Sequence, residues 1–482
     1  VADSDRISNL AVSMTHYAEC MIVPSKWSRD AYVRSGVKTP VHVLPHGLDT
    51  SWYTDPPRVQ FFKNLLDLKR KHGLKYLLYF CWHCYDEKTR VLTRHGFKYW
   101  WELREEDEIA TVNPRTLELE YQRPERIWVH DYEGPMIHFK GQHYDLMVTP
   151  NHRMFVGELI SYTERGKHKF RVKWRFMTAE TLYRECAGKR KYAKFKLLNA
   201  VKWRGRRVGK YALPPLRLDG KYPKWVLGCV NNSPREVGEV DIRDLLRFLA
   251  WFISEGTLYY AKHNQQYMIK IACLDEERKK EICEIVERLG FTPVVQAKEV
   301  IVSSKQLFEW LRSLGFKSNL EVKGWRAHLK FIPQFVKELD SDLIRVFVEE
   351  LWKGDGTYYT TREGRRVLMK YTTTSKRLAE DLAELILKMG YAVSIYEEKD
   401  REKPLYNVIM VRRYVNPLIW KKPEVIQYKG KVWCVTVPNG LIVVERNGKV
   451  TVCGNSEYRK GLDLVLETYK ILRRERKDIV LM

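Results

Sequence analysis

Two positions far apart in the chain carry side chains that could cut and rejoin the backbone. The pair Asn455-Ser456 follows an apolar, β-branched stretch and precedes a pattern typical of an amphipathic helix. An asparagine amide can attack its own main-chain carbonyl, and a serine hydroxyl can act as a nucleophile. Asn-Ser pairs are common and usually inert, so this pair alone assigns no function.

Cys84 lies far upstream, where an apolar strand pattern ends and a polar one begins. If residues 84–455 are removed, the apolar stretch 77–83 runs directly into Ser456. The joined sequence then predicts a strand, a loop and a helix, which is an ordinary α/β unit. The two positions therefore mark the ends of a removable segment.

A third element, Thr149-Pro-Asn-His152, lies inside this segment. Together with the two junctions it resembles the terminal and internal catalytic sequences of an intein, a self-splicing protein insertion. The resemblance implies a horseshoe-shaped, all-β splicing domain (a Hint domain) formed by residues 84–165 and 420–455. Short alternating segments with turn signals in both regions also predict an all-β domain.

The resemblance implies a role for each of these side chains. The Cys84 thiolate attacks the preceding carbonyl to form a thioester, and His152, oriented with Thr149, protonates the departing nitrogen. Ser456 then accepts the acyl group, and Asn455 cyclises and releases the insertion. No cofactor is required for these steps.

Three further positions bear on this chemistry. Asp145 is a candidate to orient His152. Cys434 stands where inteins usually carry an aspartate, and two interpretations stay open, a thiol proton donor and a small core residue. Gly454 stands where inteins commonly carry a histidine, so protonation during asparagine cyclisation must come from another group, and that step is expected to be slow or to need heat.

The cysteines do not predict a structural framework. The nine cysteines have no repeated paired spacing, so neither a set of disulfides nor a structural zinc site is indicated. Cys81 and Cys84 form a Cys-x-x-Cys motif across the upstream junction. A disulfide between them would block the first nucleophile, so redox control of splicing is a hypothesis.

Residues 241–400 contain an internal repeat with an offset of 100 residues. The stretch that ends in Glu255-Gly256 aligns with the stretch that ends in Asp355-Gly356. Each copy predicts a helix, an acidic-Gly turn, strands and a second helix. A duplicated unit of this kind predicts a pseudo-two-fold α+β domain, which suits duplex DNA.

The repeat resembles the LAGLIDADG (dodecapeptide) homing endonucleases, which inteins often carry. The resemblance implies that Glu255 and Asp355 bind Mg²⁺ for metal-assisted phosphodiester hydrolysis, and that Lys330 stabilises the developing charge. The implied target is double-stranded DNA of the intein-free allele of the host gene. Glu350 stands at a helix-packing position where the first copy has Ala250. A degenerate relic that folds and binds DNA without cutting it is therefore the alternative.

The flanks, residues 1–83 and 456–482, predict an α/β structure. Once joined, they resemble part of a retaining glycosyltransferase (GT-B type, family-4-like) through the segments Val23-Pro-Ser25, Val43-Leu-Pro-His-Gly-Leu-Asp49 and Arg459-Lys-Gly-Leu-Asp-Leu-Val-Leu-Glu467. The resemblance implies that Arg459 and Lys460 contact the diphosphate of a nucleotide-sugar. Such flanks are expected to be fragments at both ends. A glycosyltransferase with an inert insertion is the rival interpretation.

Composition points to a polyanionic partner. The chain has a formal net charge of +25, which favours nucleic acid, although a merely basic surface is the alternative. Residues 166–240 interleave basic and aromatic residues and are predicted to be a basic linker with a DNA-recognition role, or else the solvated face of extra strands.

The share of charged residues and the lack of long apolar segments predict where the protein is located. Charged residues make up 30% of the chain, a share typical of proteins from thermophiles. The sequence has neither a secretory signal nor a run of about 18 apolar residues. A cytoplasmic, monomeric, multidomain protein is expected.

Overall fold

The computed structural model describes residues 9–16, 18–23, 25–43, 70, 76–78, 84–165, 167–187, 194–216, 236–324, 327–360, 366–398, 402–412, 415–455 and 479–481. Contacts divide the chain into two compact units, residues 1–80 with 461–482 and residues 81–460. Several residues named above lie outside the described residues, namely Cys81, Ser456 and most of the segments 43–49 and 459–467, including Arg459 and Lys460. The helix predicted after Asn455 lies outside them too.

The first unit is α/β in its described part. Its elements begin with α1 Asn9–Thr15, β1 Met21–Val23, α2 Lys26–Arg34, β2 Val41–Val43 and β3 Tyr76–Leu78. β1 and β2 are parallel neighbours, and α2 supplies the crossover that a parallel pair requires. The hydroxyl of Ser25 caps α2 by accepting a hydrogen bond from the Ser28 N–H. The described part therefore agrees with the α/β structure predicted for the flanks.

The second unit begins with a β-rich region, as predicted. Its elements are β4 Tyr85–Asp86, β5 Arg90–Thr93, β6 Gly96–Lys98, β7 Ile109–Val112, β8 Leu119–Gln122, β9 Arg126–Lys140, β10 Asp145–Val148, β11 Arg153–Glu164, β12 Lys167–Thr178, α3 Ala179–Ala187, β13 Phe195–Leu197, β14 Lys210–Ala212 and β15 Glu239–Asp241. β11 and β12 form one long antiparallel hairpin. The boundary predicted at residue 165 is therefore wrong, because it falls at the turn of this hairpin. Residues 167–178 are strand, not linker, and their basic side chains are exposed, which agrees with the alternative prediction of a solvated face of extra strands.

The repeat folds as two copies of one α+β unit. The first copy contains α4 Ile242–Glu255, β16 Gly256–Ala261, β17 Gln266–Ala272, α5 Glu276–Arg288, β18 Pro293–Val295 and β19 Glu299–Ser303. After α6 Lys305–Ser313 and α7 Gln334–Lys337, the second copy contains α8 Ser341–Asp355, β20 Gly356–Thr360, β21 Arg366–Thr373, α9 Lys376–Lys388, β22 Ala392–Glu398 and β23 Leu405–Val411. The strand orders β16-β17-β19-β18 and β20-β21-β23-β22 correspond, which confirms the predicted duplication. The predicted end at residue 400 is wrong, because β23 completes the second sheet.

The chain then returns to the β-rich region through β24 Glu424–Thr436, β25 Leu441–Arg446 and β26 Lys449–Gly454. β24 pairs along β9, and β4 lies between β24 and β10, so that these four strands close a small barrel. β25 and β26 join at Asn447 and Gly448, which both have positive φ angles (47° and 76°), as a tight hairpin turn favours. A last strand, β27 Ile479–Leu481, pairs in parallel with β3 in the first unit.

One ten-stranded sheet connects the β-rich region with the second copy of the repeat. Its path is β20-β21-β23-β22-β26-β25-β5-β7-β8, with β6 paired to β5. The connection is the pair Ser394–Lys449 between β22 and β26. Buried residues of both regions, such as Val452 and Leu382, belong to one hydrophobic cluster. Within the described parts of the chain, no helix is long and apolar enough to span a membrane.

Candidate functional site

Cys84 immediately precedes β4, and its side chain is buried. Its N–H donates to the Thr149 hydroxyl at 3.1 Å, and its carbonyl accepts from the Thr149 N–H at 3.0 Å. Thr149 thus holds both main-chain polar groups of Cys84. Burial, and to a smaller extent Cys434, keep the pKa of the Cys84 thiol well above its ordinary value, so the thiol is protonated at neutral pH.

His152 lies in the turn between β10 and β11 and is fully buried. Its N–H donates to the Thr149 carbonyl at 2.9 Å, so Thr149 connects the histidine to Cys84. The ring packs edge-on against Tyr85, with the ring centroids 4.4 Å apart. Its Nε2 lies 3.5 Å from the Sγ of Cys453. The structure therefore brings Cys84, Thr149 and His152 together.

Asn455 follows β26 and is fully buried. Its side-chain Nδ2 donates to the Val435 carbonyl at 2.8 Å. The hydroxyl of Tyr85 donates to the carbonyl of Gly454, across 369 positions of the chain. Because these two residues are the direct neighbours of Cys84 and Asn455, the ends of the segment are adjacent in space. Tyr85 and Cys453 were missed by sequence reasoning, and only their positions beside the junctions could have pointed to them.

Packing explains the glycine before Asn455. A Cβ atom on Gly454 would lie 1.8 Å from the main-chain oxygen of Arg153. Strand β26 lies so close to the start of β11 that no side chain fits there. The histidine common in inteins at this position is therefore excluded by the backbone of this chain.

Cys434 lies in β24 and is fully buried. Its sulfur is 3.6 Å from the Val435 carbonyl oxygen. The interaction with Cys434 also contributes to the raised pKa of the Cys84 thiol. Both interpretations of Cys434, a proton donor and a small core residue, stay predictions.

The prediction that Asp145 orients His152 is wrong. The Asp145 carboxylate accepts from His138 Nε2 at 2.8 Å and from Arg446 Nη1 at 2.5 Å, and Arg446 Nε also donates to Asp86 at 3.1 Å. Burial opposes ionisation of Asp145, but its hydrogen-bond partners and the arginine outweigh burial and lower its pKa. Asp145 thus links β10 to β25 directly and, through Arg446, to β4.

The acidic residues of the repeat end two packed helices. Glu255 is the last residue of α4 and Asp355 the last residue of α8. A Cβ atom on Gly354 would lie 2.6 Å from the Ser254 hydroxyl, so the helices cross closely at this point. The ammonium group of Lys330 donates to the Ser254 carbonyl, next to Glu255. The structure brings Glu255, Asp355 and Lys330 together.

The charges of this cluster suit a divalent cation. Burial and the charge of Asp355 raise the pKa of Glu255. Partial loss of water raises the pKa of Asp355, although Lys330 and the nearby Tyr371 hydroxyl oppose the rise. Two carboxylates that repel each other bind a divalent ion favourably. Among the described residues no group of three or more His, Cys, Asp or Glu side chains could hold a metal ion, so a cation here would take its other ligands from phosphate and water.

Glu350 is accommodated between the helices. Trp251 Nε1 donates to its carboxylate at 2.7 Å, and Lys353 Nζ donates at 3.1 Å. Burial raises the pKa of Glu350, while Lys353 and Trp251 lower it. The carboxyl group is hydrogen-bonded on both sides, so it does not prevent the packing of α4 against α8.

Comparison with known families identifies one part of the chain. The family model described as a LAGLIDADG-like domain matches residues 342–417. This range begins in α8 and includes the whole sheet of the second copy. The second copy of the repeat is therefore similar to LAGLIDADG-like domains.

Curated proteins match long or short parts of the chain at 24–37% identity. The chain is 24% identical over 421 residues to an ATP-dependent Clp protease proteolytic subunit of Chlamydomonas moewusii, covering 83% of this chain and 38% of that protein. It is 26% identical over 387 residues to a ribonucleoside-diphosphate reductase subunit beta of Aquifex aeolicus, covering 77% and 50%. A replicative DNA helicase DnaB of Synechocystis is 37% identical over 107 residues, covering 22% and 12%. The chain thus spans half or less of the length of these relatives.

Two solved structures resemble parts of the chain. The homing endonuclease I-DmoI, in complex with DNA and Mn, is 18% identical and covers 36% of this chain and 92% of its own, with a TM-score of 0.27. A variant of the AceL NrdHF class 3 split intein is 21% identical and covers 20% of this chain and 78% of its own, with a TM-score of 0.15. TM-scores this low do not by themselves establish a common fold.

Proposed function

We propose that residues 84–455 are an intein that excises itself, joins His83 to Ser456 and carries a site-specific DNA endonuclease. The observation that carries this proposal is the hydrogen bond from Tyr85 to Gly454, which holds the two junctions of the segment together. Similarity to long stretches of a protease subunit and a reductase subunit also supports a mobile insertion, because these proteins share no activity by name. In this proposal the β-rich region is the Hint domain.

The splicing chemistry begins at the upstream junction. The Cys84 thiol loses its proton as the sulfur attacks the His83 carbonyl carbon, the carbon–nitrogen bond breaks, and the Cys84 nitrogen takes up a proton from His152. The proton that the thiol releases replaces the one that His152 gives up. The product is a thioester. Thr149 binds the N–H and the carbonyl of Cys84, so it keeps the junction in one orientation during the attack.

The downstream junction completes the reaction. The Ser456 oxygen attacks the thioester carbon and the Cys84 sulfur leaves, which gives a branched ester. The Asn455 Nδ2 then attacks its own main-chain carbonyl, and the peptide bond to Ser456 breaks as a succinimide forms. Finally the acyl group moves from the Ser456 oxygen to its nitrogen, which makes the new peptide bond.

Mass spectrometry of the expressed chain tests the splicing proposal. The spliced product lacks residues 84–455. Cys84→Ala should abolish cleavage at the upstream junction, and Asn455→Ala should leave that step intact while blocking release at Ser456. A full-length chain that persists after heating, or normal ligation in either variant, would contradict the proposal and favour an inert insertion.

For the endonuclease, Glu255 and Asp355 would hold Mg²⁺. The ion, when bound, would neutralise the scissile phosphate and lower the pKa of a bound water. Lys330 would stabilise charge on the phosphate in the transition state from its position beside Glu255. The basic β12 strand would contact the DNA backbone.

The natural target would be the intein-free allele, since the insertion divides that sequence. A duplex that spans the codons for Trp82, His83, Ser456 and Glu457 should be cut only when Mg²⁺ is present. A domain that binds this duplex and never cuts it would identify a degenerate relic.

The flanks complete the proposal. They would be parts of a cytoplasmic glycosyltransferase, in which Arg459 and Lys460 bind the diphosphate of a nucleotide-sugar. The test is the complete spliced host protein, in which replacement of both residues by Ala should raise the KM for the nucleotide-sugar. An unchanged KM would contradict this assignment.

A further inference from the structure

Cys453 belongs to the buried centre of the site, yet the splicing steps above do not use it. It lies in β26, two residues before Asn455, and its side chain is fully buried. Its Sγ lies 3.5 Å from Nε2 of His152, which acts at the opposite junction. The two junctions therefore meet at this contact.

The direction of this hydrogen bond follows from the chemistry of the thiol. Burial raises the pKa of Cys453 to about 12, so the thiol keeps its proton at neutral pH. Its sulfur also lies 3.7 Å from Sδ of Met154, but a thioether accepts hydrogen bonds weakly. Sulfur is a weak acceptor and an imidazole nitrogen a good one, which favours donation from the S–H group to Nε2 of His152.

A neutral imidazole carries one ring proton. If Nε2 accepts from the thiol, the proton is on Nδ1. The edge-on packing of Tyr85 restricts rotation of the ring, because the two ring centroids are 4.4 Å apart. The contacts from β4 and β26 thus fix both the orientation and the tautomer of His152.

We propose that Cys453 is a positioning residue that holds His152 in its Nδ1–H tautomer for proton donation at the upstream junction. This inference rests on the proposed splicing function and deepens it. Cys453 forms no covalent bond with the substrate. It takes the role that the sequence assigned to Asp145. Because it lies on the strand that ends at Asn455, displacement of that strand would also remove the tautomeric control of His152.

Nuclear magnetic resonance tests the tautomer without any splicing. The double variant Cys84→Ala, Asn455→Ala cannot react, and selective ¹⁵N labelling of histidine reports both ring nitrogens. The His152 signals are assigned by comparison with His152→Gln. We expect a protonated Nδ1 and an unprotonated Nε2, and a shift towards the Nε2–H tautomer when Cys453→Ala is added. A protonated Nε2 before that substitution, or the same tautomer after it, would overturn the inference.

Thiol-induced cleavage at Cys84, measured in the Asn455→Ala chain, tests the consequence for the reaction. Cys453→Ala should slow cleavage by roughly ten-fold, below the full effect of about 10²–10⁴ typical of a lost general acid. Cys453→Ser should restore most of the rate, because a hydroxyl can also donate to Nε2. Cys273→Ala removes a buried thiol from the repeat, far from the junctions in sequence, and should leave the rate unchanged.

The outcomes separate this inference from the splicing proposal. If the Asn455→Ala chain itself is not cleaved by thiols, the splicing proposal fails, while the tautomer can still be measured. If that chain is cleaved and Cys453→Ala is cleaved equally fast, the role of Cys453 fails alone. Equal slowing in the Ala and Ser variants would also contradict it, because that pattern indicates loss of packing instead of loss of a donor.

Discussion

At the scale of single residues, Gly454 sets a limit on the chemistry before Asn455. The Cα hydrogen that a side chain would replace faces the Arg153 carbonyl, so any larger residue must separate β26 from β11. A chain that lacks the usual histidine therefore cannot gain it by one substitution. Proton transfer near Asn455 must use other groups, and Tyr85 on β4 and Cys453 on β26 are two buried polar groups of this site.

Gly454→His should accordingly reduce splicing instead of improving it. The added side chain collides with the backbone, and overpacking of this kind costs typically about 1–3 kcal/mol and shifts the reacting groups. The measurement is the yield of spliced product over time. Gly209→Ala is the control, because a Cβ there meets no atom within 4 Å and splicing should match the parent. Faster splicing in Gly454→His would show that the strands separate easily.

The buried thiol of Cys84 predicts a dependence on pH. Because burial raises the pKa of Cys84, only a small fraction of the molecules carry the thiolate at neutral pH. As long as the pH is below the pKa, this fraction increases about ten-fold for each unit by which the pH rises. We expect the rate of thiol-induced cleavage in the Asn455→Ala chain to rise from about pH 6 to about pH 9. A rate that levels off near pH 7 would mean that the thiol ionises easily or that another step limits the reaction.

At the scale of elements, the two acidic helix ends form one site because α4 and α8 pack side by side. Glu255 and Asp355 lie in equivalent positions of the two copies. Partial burial raises the pKa of each, and the charge of Asp355 raises that of Glu255 further. Lys330 comes from the segment between the copies, so both copies and their connection build the site.

Glu255→Gln with Asp355→Asn should remove DNA cutting and spare splicing. Loss of both charges removes the metal ligands, and a loss of about 4 kcal/mol of transition-state stabilisation corresponds to roughly 10³-fold in rate. Nicking of the intein-free duplex with Mg²⁺ and the yield of spliced product are measured side by side. Glu284→Gln, an exposed carboxylate on α5, should leave both activities unchanged. Retained cutting in the double variant would place the nuclease site elsewhere.

These elements could be predicted because their signals are local. Strands such as β5, β7 and β10 are short segments that turn residues bound, and the repeat shows itself by similar segments at an offset of 100 residues. The contact between Cys453 and His152 could not be predicted, because it joins residues 301 positions apart whose spacing carries no pattern. The partners of Asp145 were mistaken for the same reason, since nearness in sequence to His152 was the only guide.

At the scale of the second unit, the repeat and the β-rich region share one sheet and one hydrophobic cluster. Arg90 on β5 donates to Glu445 on β25 and to Glu380 on α9, each at 2.6 Å, and its side chain is buried. This arginine therefore ties the second copy of the repeat to the strands around the splicing site. The boundaries predicted at residues 165 and 400 treated the repeat as a separate domain inserted between the strands of the β-rich region.

Glu380→Gln tests this connection. In this variant Arg90 keeps its hydrogen bond to Glu445 but loses the charged acceptor at position 380. Weakening the hydrogen bond of a buried donor lowers the free energy of unfolding by about 1–3 kcal/mol. Urea unfolding of the unreactive Cys84→Ala, Asn455→Ala chain should show that loss in the free energy of unfolding. Glu397→Gln, an exposed carboxylate on β22, should change it by less than about 0.5 kcal/mol. Equal effects would mean that the Arg90 bridge does not stabilise the unit.

DNA binding to the repeat should then also stabilise β26, the strand that ends at Asn455. Ser394 on β22 pairs with Lys449 on β26, and Lys449 also donates to the Tyr396 hydroxyl, so a ligand that stabilises the second copy stabilises the strand that ends at Asn455. Target duplex at about 100 times its Kd should add about 2.7 kcal/mol to the stability of every segment that unfolds together with the binding region.

Hydrogen exchange of the unreactive chain measures this coupling segment by segment. We expect slower exchange in residues 366–411 and, by a similar factor, in β26 when the intein-free duplex is added. A duplex of the same length and scrambled sequence supplies the control for non-specific binding, which depends on phosphate contacts alone. Because β26 contacts the repeat through a sheet and a shared core, its amides should respond although they touch no DNA. Protection confined to residues 366–411 would show that the shared sheet does not transmit binding energy to the splicing site.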